Sequence, residues 1–292
     1  GRVLEHHTHA GGQYLLRLAA PGIAAHAQPG QFVHLACGEP LRLRRPLSIL
    51  RTGDGWIELL YKVMGGGTAA LARQGVGAQL QVLGPAGMPF VVHADRPRPL
   101  LLGGGVGIPP MVFLADRLRR TPVQPLVLLG SELPFPFRPR PSTLLVPGIP
   151  EGVIATMPLL EDWGIAARLS SGRSRPGCFE GYVTDLGDHW LRALGPAERA
   201  KVAIYACGPE PMLRAAAGLA ARHGLPAQLC VEEFMACAVG GCAGCVVALH
   251  TPAGRVLRRV CVDGPVFDAA QLYPESYTAA PPTAAPPPPG GG

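Results

Sequence analysis

Leu100-Leu-Leu-Gly-Gly-Gly-Val-Gly107 runs on through Ile108-Pro-Pro to Met111-Val-Phe-Leu-Ala-Asp-Arg-Leu118, and Pro125-Leu-Val-Leu-Leu129 follows closely. The first three residues form a short apolar run, Gly103–Gly107 a turn, and Met111–Leu118 a segment of helical periodicity before a second apolar run. Strand, glycine turn, helix, strand is a βαβ unit, which predicts a parallel sheet with right-handed crossovers. Pro109 and Pro110 fit a first helical turn, where a missing N–H costs little. The turn brings bare backbone N–H groups to a helix N-terminus, a geometry that suits a dinucleotide pyrophosphate. Gly103, Gly104, Gly105 and Gly107 are therefore candidate nucleotide contacts, although an ordinary βα turn carries the same glycines.

The same architecture continues C-terminally. Gly152-Val-Ile-Ala-Thr156 and Val202-Ala-Ile-Tyr205 read as further strands, and Glu210–His223 as a helix. Between the last two lies Ala206-Cys207-Gly208-Pro209, again a loop at the C-terminal end of a strand. Two such loops on one parallel sheet face a common crevice, where ligands bind in this architecture. Cys207, Gly208 and Pro209 join the candidate set, with Cys207 either a small buried residue or part of a nicotinamide pocket.

Upstream the pattern is different. Tyr14–Leu18, Gln31–Leu35, Trp56–Tyr61 and Gln79–Leu83 are short apolar runs separated by Gly and Pro, which predicts a small antiparallel barrel or sandwich over residues 1–95. A helix is expected at Thr68–Arg73, and Gly84-Pro-Ala-Gly87 reads as a turn closing the barrel. Arg44-Arg45-Pro46-Leu47-Ser48 offers bidentate cations and a hydroxyl on one extended stretch, suited to a pyrophosphate and a ring heteroatom; a solvated strand edge looks the same. Leu60-Tyr61-Lys62 leads into Gly65-Gly66-Gly67-Thr68, a second anion-cradling turn. His6, His7 and His9 read as terminal sequence rather than a metal site.

Downstream, Met235-Ala-Cys237-Ala-Val-Gly-Gly-Cys242-Ala-Gly-Cys245 is answered by Cys261 in Arg259-Val-Cys261-Val-Asp-Gly264. C-x4-C-x2-C with a fourth, later cysteine matches the plant-type [2Fe–2S] spacing. Zinc is the rival ligand, since four thiolates also suit Zn²⁺, but zinc sites usually split their cysteines into two separated knuckles. Strands are expected at Gln228–Glu232 and Cys245–His250. Cys37, Cys178 and Cys230 read as small buried or loop residues.

Composition narrows the function classes. The chain has 292 residues, 48% of them hydrophobic and 16% charged, with 39 Gly and 33 Pro, so many turns and short strands are expected. Its net charge of +6 is carried almost wholly by arginine, without a Lys/Arg block, which speaks against nucleic acid. The longest uncharged runs are interrupted by glycines, so no membrane span is expected. No basic–apolar leader opens the sequence, whose first residue is Gly rather than Met. Ligand-type cysteines without a leader favour a cytoplasmic location. The division expected is a barrel over 1–95, an α/β domain over 96–225, a cysteine domain over 226–272 and a disordered Pro/Ala/Gly tail over 273–292.

Arg-Pro-Leu-Ser, the Gly-Gly-Thr turn, Gly-Gly-Gly-Val-Gly, Ala-Cys-Gly-Pro and the cysteine loop occur in that order over roughly residues 1 to 270. Together they resemble the electron-transfer subunit of bacterial dihydroorotate dehydrogenase B, a ferredoxin–NADP reductase-like flavoprotein. Phe179–Asp185 and Asp263–Phe267 share that look. The resemblance implies FAD on the barrel, held by Arg45, Pro46, Leu47, Ser48, Leu60, Tyr61, Lys62, Gly67 and Thr68. It implies NAD(H) on the second domain and a [2Fe–2S] cluster on Cys237, Cys242, Cys245 and Cys261. Electrons from dihydroorotate would then leave an FMN-containing catalytic subunit, in a heterotetramer, and reach NAD⁺ through this chain, serving pyrimidine biosynthesis. The same module serving a hydrogenase, sulfide dehydrogenase or transhydrogenase-type complex is the alternative, and a zinc-stabilised binding module is the reading of another class. Three features depart from the pattern: Ala238 where Gly is usual, Phe234 where a basic residue is expected, and the proline-rich Pro134–Pro141. The last puts the adenosine side of the nucleotide site in question. Arg173 and Arg175 would suit a 2′-phosphate, which leaves NADPH open.

Overall fold

The computed structural model describes residues 1–38 and 43–278. Its first unit comprises β1 (Arg2–His9), β2 (Gln13–Ala19), α1 (Pro21–His26), β3 (Phe32–Leu35), β4 (Arg45–Gly53), β5 (Trp56–Lys62), α2 (Gly66–Ala72) and β6 (Val82–Ala86). The strands form an antiparallel sheet in the order β1-β2-β5-β4-β3-β6. Backbone hydrogen bonds from Val3 to Ala78 and from Leu80 to Gly1 join its two ends, which closes the sheet into the expected barrel. Leu16, Leu18, Val33, Leu35, Ile49, Ile57 and Leu59 alternate inward and fill it. On the opposite face, Glu58 is buried against the guanidinium groups of Arg17 and Arg51, and both arginines lie over Trp56.

The second unit carries β7 (Leu100–Gly104), α3 (Ile108–Leu118), β8 (Leu126–Gly130), β9 (Arg140–Pro141), β10 (Ala155–Thr156), α4 (Pro158–Asp162), β11 (Ala167–Ser171), β12 (Phe179–Glu180), α5 (Val183–Ala193), α6 (Pro196–Arg199), β13 (Ile204–Cys207) and α7 (Glu210–His223). There follow β14 (Ala227–Cys230), β15 (Val246–Thr251), β16 (Gly254–Arg259), β17 (Val266–Asp268), α8 (Ala269–Leu272) and α9 (Pro274–Thr278). A seven-stranded sheet runs β12-β11-β8-β7-β13-β14-β17, parallel except for β17. Apolar residues cover both faces, with α3 on one side and α5 and α7 on the other. Near-continuous apolar strands such as Leu100-Leu-Leu102 are what a sheet buried on both faces requires.

Several expectations shift. The strand expected at Gln79–Leu83 lies at Val82–Ala86, because the chain first closes on the N-terminus through Ala78 and Leu80 and only then pairs with β3. Gly84 and Pro85 therefore sit inside β6, where Gly84 at φ +154° accommodates the irregular register opposite Phe32 and His34. His6 belongs to a strand and hydrogen-bonds the buried Tyr61 hydroxyl at 2.9 Å, so it is not terminal sequence. Residues 274–278 are helical, correcting the expected start of a disordered tail at 273; residues 279–292 lie outside the described part. No helix among the described residues is long and apolar enough to cross a membrane.

Candidate functional site

On the barrel, the extended Arg45–Ser48 stretch and the glycine turn before α2 come together. Arg45 lies across Gly67 so closely that a Cβ there would fall 2.6 Å from its Nε, a reason for glycine at 67. Thr68 Oγ1 accepts from the backbone N–H of Met64 at 2.9 Å and of Gly65 at 3.3 Å, which fixes the turn. Among the described residues Arg44, Arg45 and Lys62 have no carboxylate partner, whereas Arg17 and Arg51 on the same barrel do. A guanidinium held at a glycine turn without a counter-charge fits a diphosphate. Tyr61 is the exception among the candidates: it is 2% exposed, stacks on Tyr14 and has its hydroxyl pushed up by burial. Its side chain belongs to the barrel core, so any ligand contact there falls to backbone.

On the parallel sheet, the two predicted loops touch. Cys207 is the register partner of Gly103 across β13 and β7, and a Cβ on Gly107 would strike the Cys207 carbonyl group. A Cβ on Gly104 would strike the Met212 sulfur of α7. The glycines thus permit two βα turns to pack side by side at the carboxyl edge of the sheet. Gly105, at φ +56°, gives the turn before α3 its left-handed step. Cys207 is fully buried, and a hydrogen bond with the Cys230 thiol, followed by burial, raises it well above the ordinary thiol range. It is a neutral thiol rather than a nucleophile. Beside Gly208 and Pro209 a cleft of about 660 Å³ opens between α7 and the β15–β16 hairpin. Glu232 lines it and acts electrostatically on Cys207. Sequence inspection missed this glutamate because nothing local relates residue 232 to residue 207.

The cysteine loop spans the gap between β14 and β15. Backbone N–H groups of Val239, Cys242 and Gly241 and the Cys242 thiol hold Cys237 down, at about 6. Gly244 N–H approaches the Cys242 sulfur at 3.4 Å. Cys261 is raised to about 11 by burial and by its hydrogen bond with Cys245. Cys237 is influenced by Cys242, and Cys261 by both Cys245 and Cys237, so the four thiols neighbour one another. Among the described residues no three His, Cys, Asp or Glu side chains converge to hold a single ion. Four thiols in this order and spacing suit a [2Fe–2S] cluster. N–H groups aimed at sulfur serve the same end by stabilising thiolate charge.

Sequence inspection also missed the clamp around this loop. Arg259 donates to the Gly240 carbonyl at 3.1 Å and to the Asp263 carboxylate at 3.0 Å, and its backbone N–H bonds the same carboxylate at 2.8 Å. The turn bearing Cys261 is thereby tied to the loop bearing Cys237. Ala238, where glycine was expected, takes φ +56°, and Ala243 takes φ +52°. Arg173 and Arg175 follow β11 at the carboxyl edge, with the Arg173 N–H and the Arg175 Nε both bonded to Ser171 Oγ at 3.2 Å.

Residues 232–273 match the family model described as the iron–sulfur cluster binding domain of dihydroorotate dehydrogenase B. Among curated relatives, the "Dihydroorotate dehydrogenase B (NAD(+)), electron transfer subunit" of Desulforamulus reducens is 32% identical over 268 residues, covering 89% of this chain and 92% of that protein. The protein of the same name from Bacillus caldolyticus is 36% identical over 271 residues, with the same coverage. Among solved structures, an NADH-dependent reduced ferredoxin–NADP oxidoreductase aligns with a TM-score of 0.75 at 22% identity, covering 93% of this chain and 88% of that one. The ferredoxin reductase of carbazole 1,9a-dioxygenase aligns at 0.57 and 19% identity, covering 77% and 65%. At these identities the structural matches establish the fold.

Proposed function

The chain belongs to the family of dihydroorotate dehydrogenase B electron transfer subunits, and from that premise we propose how its residues divide the work. It is the electron-transfer component of an NAD-linked oxidoreductase. FAD and a [2Fe–2S] cluster supply the exchange between two-electron chemistry with NAD(H) and one-electron transfer. Arg45, Lys62, Gly67 and Thr68 hold the FAD diphosphate, and Pro46, Leu47, Ser48, Leu60 and the Tyr61 backbone flank the rest of the cofactor. Gly103–Gly107 and Cys207–Pro209 hold NAD(H) in the crevice between their turns. Cys237, Cys242, Cys245 and Cys261 would hold the cluster. Residues 1–95, 96–225 and 226–272 are the respective functional segments, the last lending β14 and β17 to the nucleotide-binding sheet.

The partner is an FMN-containing dihydroorotate dehydrogenase catalytic subunit in a cytoplasmic heterotetramer. Cys242 is exposed on the cysteine loop, and Phe234 and Val239 beside it are 93% and 60% exposed. Exposed apolar residues on the loop that carries an exposed ligand suit docking of a second electron carrier. The observation that carries the reading is the junction between barrel and cysteine segment, where Met88 N–H bonds the Gly264 carbonyl and Phe32 shares one apolar core with Ala238, Cys245 and Cys261. The test is co-expression with the candidate catalytic subunit and an assay of dihydroorotate-dependent NAD⁺ reduction. Activity in the copurified complex supports the assignment. Copurification with hydrogenase subunits, with no dihydroorotate oxidation, would assign the module to another complex.

A further inference from the structure

β16 ends at Arg259, opposite Val246 on β15 and two residues before Cys261. Its guanidinium forks onto Asp263, with Nε at 3.0 Å and Nη2 at 3.3 Å from the carboxylate oxygens, while Nη1 donates to the Gly240 carbonyl at 3.1 Å. Gly240 takes φ +82°, and a Cβ there would fall 3.1 Å from Nη1, so glycine leaves room for the guanidinium. The Gly240 carbonyl and the Gly241 N–H belong to one peptide unit, and that N–H is bonded to the Cys237 sulfur. The preceding N–H, of Gly240, is bonded to the Cys261 sulfur. The guanidinium also acts electrostatically on Cys261 and Cys245. Arg259 thus reaches Cys237 through a peptide, and Cys261 and Cys245 through space.

A donor on a peptide carbonyl polarises the N–H of the same peptide, so linked hydrogen bonds strengthen one another. One-electron reduction of a cluster adds one negative charge and no proton. Positive charge nearby, and N–H groups directed at the sulfurs, therefore favour the reduced form. The Asp263 carboxylate works in the opposite sense by offsetting part of the guanidinium charge. We propose that Arg259 is a positioning residue that raises the cluster's reduction potential, through the Gly240–Gly241 peptide and its own charge, and that Asp263 moderates the effect. This rests on the cluster reading above and adds to it a pair of residues that hold no metal themselves.

The test is an anaerobic redox titration of the full chain purified with its cofactors, as wild type, Arg259→Met, Arg259→Lys and Asp263→Asn. The cluster is followed by the EPR signal of its reduced form. Both side chains are partly exposed, so solvent moderates the expected shift. At a fixed potential the ratio of reduced to oxidised cluster should fall about fivefold in Arg259→Met, the worth of about one net hydrogen bond. Arg259→Lys keeps the charge and should lie nearer to wild type. Asp263→Asn keeps an acceptor for the Arg259 N–H groups while removing the counter-charge, so its ratio should rise. An unchanged potential in Arg259→Met, equal shifts in Arg259→Met and Arg259→Lys, or a fall in Asp263→Asn would overturn the proposal. A clamp that only held the loop together would speed loss of the cluster in both Arg259→Met and Asp263→Asn without opposite shifts, and that result overturns it too. If Arg259→Met carries no cluster, Arg259→Gln, which lacks the charge but can still donate to the Gly240 carbonyl, is read against the same outcomes. A wild-type chain without a cluster signal would instead overturn the parent reading before any variant is compared.

Discussion

Replacing Ala243 by Gly should slow loss of the cluster, whereas the same change at Ala238 should bring little or no gain. Both alanines occupy the left-handed region, at φ +52° and +56°. For an L-residue that region costs about 1–2 kcal/mol, and glycine escapes this cost while adding about 0.5–1 kcal/mol of chain entropy to be lost on folding. Ala243 is exposed, so nothing offsets relief of its strain and the net gain is about 0.5–1 kcal/mol. Ala238 is 3% exposed and packed in the same core as Phe32 and Cys261. Deleting its methyl costs about 0.8 kcal/mol and cancels the gain. Cluster release through local opening of the loop should therefore slow about two- to fivefold in Ala243→Gly and stay near wild type in Ala238→Gly. The assay follows bleaching of the visible cluster absorbance in excess iron chelator under anaerobic conditions. Unchanged or faster release from Ala243→Gly, or a larger gain at Ala238, would refute the strain argument.

Four further outcomes are expected. Cys242→Ser should abolish the cluster's EPR signal while NADH still bleaches the flavin; loss of both would mean that the loop supports the whole fold. Gly67→Ala should displace the Arg45 guanidinium and, by weakening one charge-assisted contact, lower FAD affinity about tenfold in a fluorescence titration. Gly107→Ala places a Cβ against backbone atoms of Cys207 and Gly208, so flavin bleaching by NADH should be lost while bound FAD is retained in the visible spectrum. NADH should bleach the flavin faster than NADPH in stopped-flow mixing; the reverse order would assign Arg173 and Arg175 to a 2′-phosphate.

What the sequence revealed was what short-range physics controls. The Leu100–Leu129 βαβ unit announces itself through a glycine turn, two first-turn prolines and helical spacing, all local. The Glu210–His223 helix is found with its expected limits, closed by Gly224 at φ +63°. The C-x4-C-x2-C loop is likewise local. Long-range placement was hidden. β1 escaped notice because its histidines look polar, and only the fold brings His6 against Tyr61. β11 reads Ala-Arg-Leu-Ser-Ser, yet it is buried, with Arg168 donating to the Leu144 carbonyl at 2.6 Å. Helix α5 has no counterpart in the sequence reading, although Val183, Leu186, Trp190 and Leu191 fall at helical spacing. Spacing implied four cysteine ligands; bringing Cys261 to the other three depends on how β14 and the β15–β16 hairpin present them. Glu232 beside Cys207 and the Arg259–Asp263 clamp become visible only once distant segments are brought together.

The central claim is that one chain carries electrons between NAD(H), FAD and a [2Fe–2S] cluster held by the cysteine loop. An anaerobic NADH titration of the purified chain, followed by visible absorbance and low-temperature EPR, tests it most directly. The account predicts FAD with iron and sulfide in equal amounts, bleaching of the flavin by NADH, and growth of the reduced cluster's EPR signal in the same titration. A colourless chain containing zinc and no flavin would contradict it.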